Sequence, residues 1–216
     1  MERNRKAREQ KTKVTSVDGI KYFTSKEIKL LRRHVKRKAE NDLKCGRKTA
    51  VREWMVVDLL TCTGLRVSEA ANLRIKDLNI SYGNSSIFVR NGKGNISGTV
   101  EIPASLKKHL KQFLRWKKEQ GEGTSEDHFL FIGQRGKWTS QAIQQIVKKY
   151  LRQLNLYQNG KSVHALRHSY AVALYSKERD LRTVQKQLRH RSIQSTLVYA
   201  DVTSEEIQSQ IRGLWS

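Results

Sequence analysis

The sequence has few cysteines, few acidic residues and no long apolar run. Its two cysteines, Cys45 and Cys62, are not at Cys-x-x-Cys spacing, so they support neither a disulfide framework nor a zinc ribbon. Apolar runs such as YAVALY, residues 170–175, are far shorter than a membrane span, and no signal-peptide hydrophobic region opens the chain. We therefore expect a soluble cytoplasmic protein with no membrane partner, in which Cys62 belongs to the core.

The shortage of acidic residues leaves a large positive charge. Lysine and arginine total 43 against 20 aspartates and glutamates, a formal net charge of +23. A solvated surface usually mixes both signs, so this imbalance favours a polyanionic partner, nucleic acid before ribosomes, membranes or other acidic partners. Residues 1–20 are basic and lack apolar periodicity, which predicts a flexible arm along phosphates or, alternatively, a solubilising tail.

The remaining 196 residues, 21–216, suit one domain that is mainly helical. A capping box, TSKE, predicts a helix over 24–41, and an apolar segment predicts a buried helix over 49–61. Strands at 85–90 and 98–103 around an Asn-Gly turn predict an antiparallel β-hairpin. Periodicity predicts further helices at 67–73, 104–120, 139–154, 163–176 behind a Ser162 cap, 180–188, 192–199 and 203–212. The fold class is α+β.

The segment HALRH places His164 and His168 four residues apart, on one helix face. A zinc-protease helix has the same spacing but needs glutamate in the second position, where this chain has Ala165. No cluster of carboxylates or cysteines nearby offers a third ligand. The sequence therefore predicts no metal site here.

Other residues make phosphodiester chemistry the better interpretation of this segment. The two arginines, Arg66 and Arg167, can grip the non-bridging oxygens of a phosphate through planar, bidentate hydrogen bonds. Without a metal to activate water, the attacking group must belong to the protein, and Tyr199 is a candidate. The leaving 5′ oxygen needs an acid, which a mobile Lys93 can supply. Taken singly, each could be an ordinary core or surface residue; their combination favours catalysis.

The blocks TGLRVSEAANLRIKDL, VRNGKGN, HALRHSYAVAL and LRTVQKQLRHRSIQSTLVYADV resemble the catalytic domain of tyrosine recombinases, the phage-integrase and Xer family. The similarity extends from Tyr22 to Ser216. It implies the fold of these DNA breaking-rejoining enzymes. It also implies that Tyr199 forms a 3′-phosphotyrosyl link, that Arg66 and Arg167 clamp the scissile phosphate, and that Lys93 is the general acid.

The resemblance implies roles for the remaining polar residues as well. His164 would assist proton transfer at the tyrosine, and His190 would bind the phosphate or position its neighbours. Glu69 would be a buried support for the arginines. We predict a packing or hydrogen-bonding role for His168, with no chemical step of its own.

As a family member, the protein would be a site-specific recombinase, or integrase, that needs neither metal nor ATP and has no cofactor. Its partners would be double-stranded DNA with a specific site of inverted repeats, three further copies in a synaptic tetramer, and an accessory DNA-bending protein. Such enzymes serve mobile genetic elements, and the protein would be associated with the nucleoid. A DNA-binding regulator without turnover and a type IB topoisomerase are the alternatives.

Two departures from the family pattern stand out. Only residues 1–20 precede the domain, where most members carry a separate core-binding domain; this resembles the minimal recombinases of phase switches, unless the sequence is truncated. Arg189 stands where the family has glycine, so it either strains a helix end or adds a phosphate contact. We do not count it among the catalytic residues.

Candidate DNA contacts lie on the first helix and the hairpin. They are the exposed cations Arg32, Arg33, Lys36, Arg37 and Arg90. The last predicted helix is amphipathic and would dock on a neighbouring protomer or on its own domain.

Overall fold

The computed structural model describes residues 16–17, 20–92, 96–159 and 161–200. Most of the predicted N-terminal arm, Lys93 at the hairpin tip and the predicted helix at 203–212 lie outside these ranges. The described residues form a mainly helical fold with small antiparallel sheets, which confirms the predicted fold class.

The first helix, α1, spans Ser25–Lys44 and begins with the predicted capping box. The Glu27 backbone N–H donates to Thr24 Oγ1 at 3.2 Å, and the Thr24 N–H donates to Glu27 Oε2 at 2.7 Å. These two bonds satisfy donors that the first helical turn leaves without partners. A short antiparallel pair, β1 at Ser16–Val17 and β2 at Ile20–Lys21, precedes the helix.

The second helix, α2 at Thr49–Thr63, is buried over most of its length, as its sequence predicts. It packs on α1, and Cys62 is a core residue as expected, only 8% exposed. Burial raises the pKa of the Cys62 thiol to about 12. The helix ends at Gly64, after which α3 spans Val67–Asn72, followed by a 3₁₀ turn at Ile75–Asp77.

A three-stranded antiparallel sheet follows. Its strands are β3 at Leu78–Asn79, β4 at Ser86–Gly92 and β5 at Ile96–Glu101, in the order β3-β4-β5. The predicted hairpin is confirmed, with Ile87 paired to Val100. The prediction that Asn91 and Gly92 form its turn is wrong, because both belong to β4 and Gly92 pairs with Ile96. The two-residue strand β3 is too short to show an alternating pattern, and the sequence did not predict it.

The next elements are α4 at Ala104–Glu119, a small hairpin of β6 at Ile132–Gly133 and β7 at Gly136–Lys137, and α5 at Ser140–Gln153. Thr139 caps α5, since its hydroxyl accepts from the Ala142 N–H.

Three helices complete the described chain: α6 at Val163–Glu178, α7 at Leu181–Leu188 and α8 at Gln194–Leu197. Ser162 precedes α6 but its side chain makes no capping hydrogen bond, so the predicted cap is wrong. Its backbone, with φ −124° and ψ −145°, departs from the usual extended conformation of a capping residue. The predicted helix at 192–199 is shorter, a single turn.

Buried apolar side chains form two groups. The larger group includes residues from each of the five helices α1 through α5, from the three-stranded sheet and from the start of α6. The smaller group comprises Ala171, Val184, Leu188 and Tyr199 and joins the end of α6 to α7 and α8. No helix within the described ranges is both long and apolar enough to cross a membrane.

Candidate active site

The site begins at a tight turn after α2. Gly64 has φ 63° and ψ 19°, a left-handed conformation that glycine adopts without strain, and its N–H donates to the Leu60 carbonyl. A Cβ at this position would lie 2.6 Å from Cδ1 of Tyr170 and 3.0 Å from Cδ2 of Leu188. The turn therefore needs glycine both for its left-handed backbone and for the close approach of Tyr170. It places Arg66 at the start of α3.

Arg66 is anchored by Glu69 in the first turn of α3. The Arg66 backbone N–H donates to Glu69 Oε2 at 2.8 Å, and its Nη1 donates to Oε1 at 2.9 Å. The Arg66 side chain is 25% exposed, whereas that of Glu69 is 3% exposed. The guanidinium thus stays accessible while its carboxylate partner is buried, which is the arrangement expected for a support residue.

A second guanidinium, that of Arg189, lies against the same carboxylate. Its Nη2 is 2.6 Å from Glu69 Oε2, and its side chain is 5% exposed. Burial raises the pKa of the Glu69 carboxyl, but Arg189 and then Arg66 outweigh burial and hold the pKa below its ordinary value. Glu69 is therefore ionised at neutral pH. The sequence pointed to Arg189 as a departure from the family but did not predict this contact.

Arg167 comes from the first half of α6 and holds two backbone carbonyls. Its Nη1 donates to the Gly64 oxygen and its Nη2 to the Leu188 oxygen, both at 2.6 Å. Burial, followed by the charge of Arg66, lowers the pKa of Arg167 to about 10, so it remains charged at neutral pH. Arg167 thus fixes the turn after α2 relative to the end of α7.

Two histidines of the site, His190 and His168, are neutral at pH 7. His190 follows α7, and its Nδ1 lies 2.9 Å from Thr196 Oγ1. Burial, followed by the charges of Arg167 and Arg66, lowers the pKa of His190 to about 4. Burial and Arg167 also lower the pKa of His168, whereas His164 lies exposed in the first turn of α6.

Tyr199 follows α8 and is only 5% exposed. Its hydroxyl lies 2.7 Å from Nδ1 of His168. Burial raises the pKa of the Tyr199 phenol, and the charges of Arg167 and Arg66 only partly oppose this. The phenol is therefore protonated, and it can donate to the neutral imidazole of His168. The sequence allowed a hydrogen-bonding role for His168 but gave no means of identifying its partner, because the two residues are 31 positions apart.

The structure thus gathers four of the six predicted catalytic residues, Arg66, Arg167, His190 and Tyr199, where the start of α3 meets α6, the end of α7 and α8. The fifth, His164, lies exposed on the same helix as Arg167, in the first turn of α6. The sixth, Lys93, lies outside the described residues, although the β4–β5 hairpin that carries it is described on both sides. Over the ranges described, no three His, Cys, Asp or Glu side chains are grouped so that they could hold a metal ion.

The predicted DNA contacts are unequal. Arg33, Lys36 and Arg37 are exposed on α1. Arg32 instead donates twice to Asp58 Oδ1, at 3.0 Å from Nε and 2.7 Å from Nη2. Arg90 pairs with Asp77 at 2.6 Å, although its side chain is 48% exposed. The charges of these two residues are therefore partly neutralised within the protein.

Comparison with known sequences gives one consistent result. The model of the phage integrase family matches residues 21–206. The chain is 33% identical to tyrosine recombinase XerA of Pyrococcus furiosus over 168 residues, which cover 76% of this chain and 55% of the relative. It is 32% identical to tyrosine recombinase XerC of Oceanobacillus iheyensis over 160 residues, 73% of this chain and 51% of the relative. The chain spans about half the length of these relatives.

Solved structures share the fold. The crystal structure of XerA recombinase superposes with a TM-score of 0.69 at 24% identity, covering 90% of this chain and 64% of that one. XerH site-specific recombinase, bound to its difH substrate in a pre-cleavage complex, gives 0.72 at 22% identity and covers 95% and 57%. The Tn1549 transposon integrase in complex with transposon right-end DNA gives 0.63 at 21% identity and covers 90% and 66%.

Proposed function

This chain belongs to the phage integrase family of tyrosine recombinases, and on that premise we propose that it is a site-specific DNA recombinase that uses Tyr199 as its nucleophile. The observation that carries the proposal is the grouping of Arg66, Arg167 and Tyr199. Burial raises the pKa of the Tyr199 phenol and the charges of both arginines oppose that rise, so all three share one electrostatic environment. Two guanidiniums beside a tyrosine suit the stabilisation of a phosphoryl transition state.

In the proposed reaction the Tyr199 oxygen attacks the scissile phosphorus. A tyrosine–phosphate bond forms, and the bond from phosphorus to the 5′ oxygen breaks. The phenolic proton passes to a base, with His164 as the candidate, and the leaving 5′ oxygen takes a proton from Lys93. The new bond is itself a phosphodiester, so attack by another 5′ hydroxyl reseals the DNA without ATP, metal or cofactor.

Each arginine has a distinct part in this proposal. Arg66, partly exposed, would bind the non-bridging phosphate oxygens. Arg167 would share that work while it holds Gly64 and Leu188 in place. His190, neutral because its pKa is about 4, would hydrogen-bond the phosphate without adding charge.

His168 would hold the phenol of Tyr199 in a fixed position. Because burial keeps the Tyr199 pKa raised and the His168 pKa lowered, the proton stays on the phenol in the free protein. The nucleophile would therefore be unreactive until a phosphate binds. A protonated phenol does not react with adventitious electrophiles before DNA is bound.

DNA would be bound as a duplex with inverted repeats, and strand exchange would require a tetramer and an accessory DNA-bending protein. The bound DNAs of the XerH and Tn1549 integrase structures support a DNA partner. The exposed cations Arg33, Lys36 and Arg37 would contribute phosphate contacts.

The experiment is covalent capture on a nicked suicide duplex that carries inverted repeats from the DNA beside the gene. The wild type should give a protein–DNA adduct that survives denaturation, and Tyr199→Phe should give none. Tyr175→Phe, a change of the same kind on α6, is the matched control and should keep the adduct. An equal amount of adduct with Tyr199→Phe would overturn the proposal. Binding without any adduct would favour the regulator, and relaxation of supercoils without a defined site would favour the topoisomerase.

A further inference from the structure

Arg189 has an unusual backbone for an arginine. It caps the end of α7 with φ 54° and ψ 47°, and its N–H donates to carbonyls of the last turn. This left-handed conformation suits glycine and is strained for a residue with a Cβ. The chain therefore keeps a strained arginine at a position where the backbone would accept glycine more easily.

The Arg189 side chain is directed inward onto the arginine site. A Cβ on Gly98 of β5 would lie 3.0 Å from Cδ of Arg189, so the arginine stem passes directly over a residue without a side chain. Beyond the stem, Nη2 reaches to 2.6 Å from Glu69 Oε2. Gly98 on β5, which has no side chain, thus leaves room for the stem of Arg189.

Within the described ranges, the Arg189 guanidinium makes no hydrogen bond of good geometry. The short approach of Nη2 to Glu69 is an ion pair without hydrogen-bond alignment, and Nε and Nη1 also lack partners among the described residues. Arg167, by contrast, uses its guanidinium to tie two carbonyls together. Arg189 is therefore not a structural hydrogen-bonding centre, and its effect on its surroundings is its charge.

That charge changes the balance of the site. In the described part of the chain, Glu69 is the carboxylate paired with both Arg66 and Arg189, while Arg167 donates to carbonyls. Without Arg189, Glu69 would pair with Arg66 alone, and each would neutralise the other. With Arg189, the negative charge of Glu69 is shared between Arg66 and Arg189, so the site carries one more positive charge that no carboxylate offsets.

We propose that Arg189 is a positioning residue for Arg66, acting through Glu69. By neutralising one oxygen of the buried carboxylate, Arg189 leaves more of the Arg66 charge for the phosphate and for the negative charge that develops in the transition state. This inference rests on the proposed recombinase chemistry. It explains why the chain has a charged residue in place of the glycine that the backbone conformation suits.

The test compares three variants at saturating DNA in single-turnover cleavage. Arg189→Gly should lower the rate constant of adduct formation by about tenfold, within the coupling expected for one ion-pair network. The dissociation constant for DNA should change by less than about twofold, because Arg189 is buried and the many phosphate contacts elsewhere supply most of the affinity. Arg189→Lys should recover most of the rate, since lysine restores the charge.

Arg179→Gly is the matched control. Arg179 ends α6 in the same left-handed conformation, with φ 52°, but its side chain is exposed over the Tyr175 ring. Glycine relieves the backbone strain in both variants, but Arg189→Gly also loses the ion pair with the buried Glu69, so cleavage is compared at a temperature at which both variants are folded. Only Arg189→Gly should slow cleavage. A wild-type rate for Arg189→Gly, or an equal loss with Arg189→Lys, would overturn the inference.

Two further measurements separate this inference from the proposed function. In the Glu69→Gln background, Arg189→Gly should have much less effect, and an undiminished effect would show that Arg189 does not act through Glu69. Independently of activity, carboxyl NMR should show a higher Glu69 pKa in Arg189→Gly than in the wild type; an unchanged pKa would also overturn the inference. If the wild type forms no adduct, the proposed function fails, while the NMR result still decides the coupling.

Discussion

At the scale of single residues, Arg167 combines a proposed catalytic role with a structural one. Its two donor bonds satisfy the Gly64 and Leu188 carbonyls inside the protein. Arg167→Ala should therefore abolish cleavage and also lower the free energy of unfolding by about 3 kcal/mol, because buried acceptors lose charged donors. Urea unfolding measures the second effect. Arg167→Lys keeps the charge but not the fork, so it should be more stable than Arg167→Ala and still defective in cleavage. Wild-type stability for Arg167→Ala would contradict the structural role.

The histidines give the site a predictable response to pH. His190 has an ordinary unfolded pKa near 6.5 and a folded pKa of about 4, so the unfolded chain binds the proton more readily between these values. Stability is fully present above about pH 6.5 and falls as the pH decreases toward 4. An NMR titration of the His190 ring should show a midpoint near 4, together with a falling melting temperature over that range. A ring midpoint near 6.5 would contradict the described environment.

The sequence predicts which residues form the candidate site, but it does not predict their contacts. Arg66, Arg167 and Tyr199 follow from a motif in which residue types recur at fixed spacing. The contact between His168 and Tyr199 depends on how α6 and α8 pack, which no local pattern encodes. The same holds for Arg189 and Glu69, which are far apart in sequence and are joined by a side chain passing over Gly98.

At the scale of elements, the turn between α2 and α3 is the most constrained. Gly64→Ala would combine a positive φ with a Cβ 2.6 Å from Tyr170, whereas Gly46→Ala, with φ 72°, would meet nothing within 4 Å. Gly46→Ala should cost about 1 kcal/mol from backbone strain alone. Gly64→Ala should cost more by about 1–3 kcal/mol, because packed side chains must shift. Equal unfolding free energies for the two variants would contradict the close approach.

Elements with strong local signals were predicted well. The capping box of α1, the uniformly apolar α2 and the pairing of β4 with β5 all follow from short-range chemistry, although the sequence placed the turn of that hairpin too early, at Asn91 and Gly92. The strand β3 and the β6–β7 hairpin have two residues per strand, too few for periodicity to appear. Ser162 had the right residue type for a cap, but its backbone angles are not those of a usual capping residue, and the residue type alone does not determine them.

At the scale of the whole molecule, the charge of +23 should govern DNA affinity. The logarithm of the binding constant should fall with the logarithm of salt concentration by about 0.9 for each phosphate contact. Arg33→Ala and Lys36→Ala should each reduce that slope by about one contact. Arg32→Ala should reduce it less, since Arg32 already pairs with Asp58. Fluorescence anisotropy at several salt concentrations measures the slopes.

The matched control for these variants is Lys177→Ala, at an exposed lysine that pairs with the neighbouring Glu178 on α6. It should leave the slope unchanged. Slopes for Arg33→Ala and Lys36→Ala that equal those of the control would show that α1 does not lie on the DNA.

The central claim is that Tyr199 becomes covalently joined to DNA, and the most direct measurement identifies that tyrosine. Adduct formed on the suicide duplex is digested with protease and nuclease, and mass spectrometry locates the nucleotide-modified peptide. Our account predicts a single modified peptide that contains Tyr199, with the nucleotide attached through its 3′ phosphate. Modification of any other tyrosine, or an attachment through a 5′ phosphate, would contradict it.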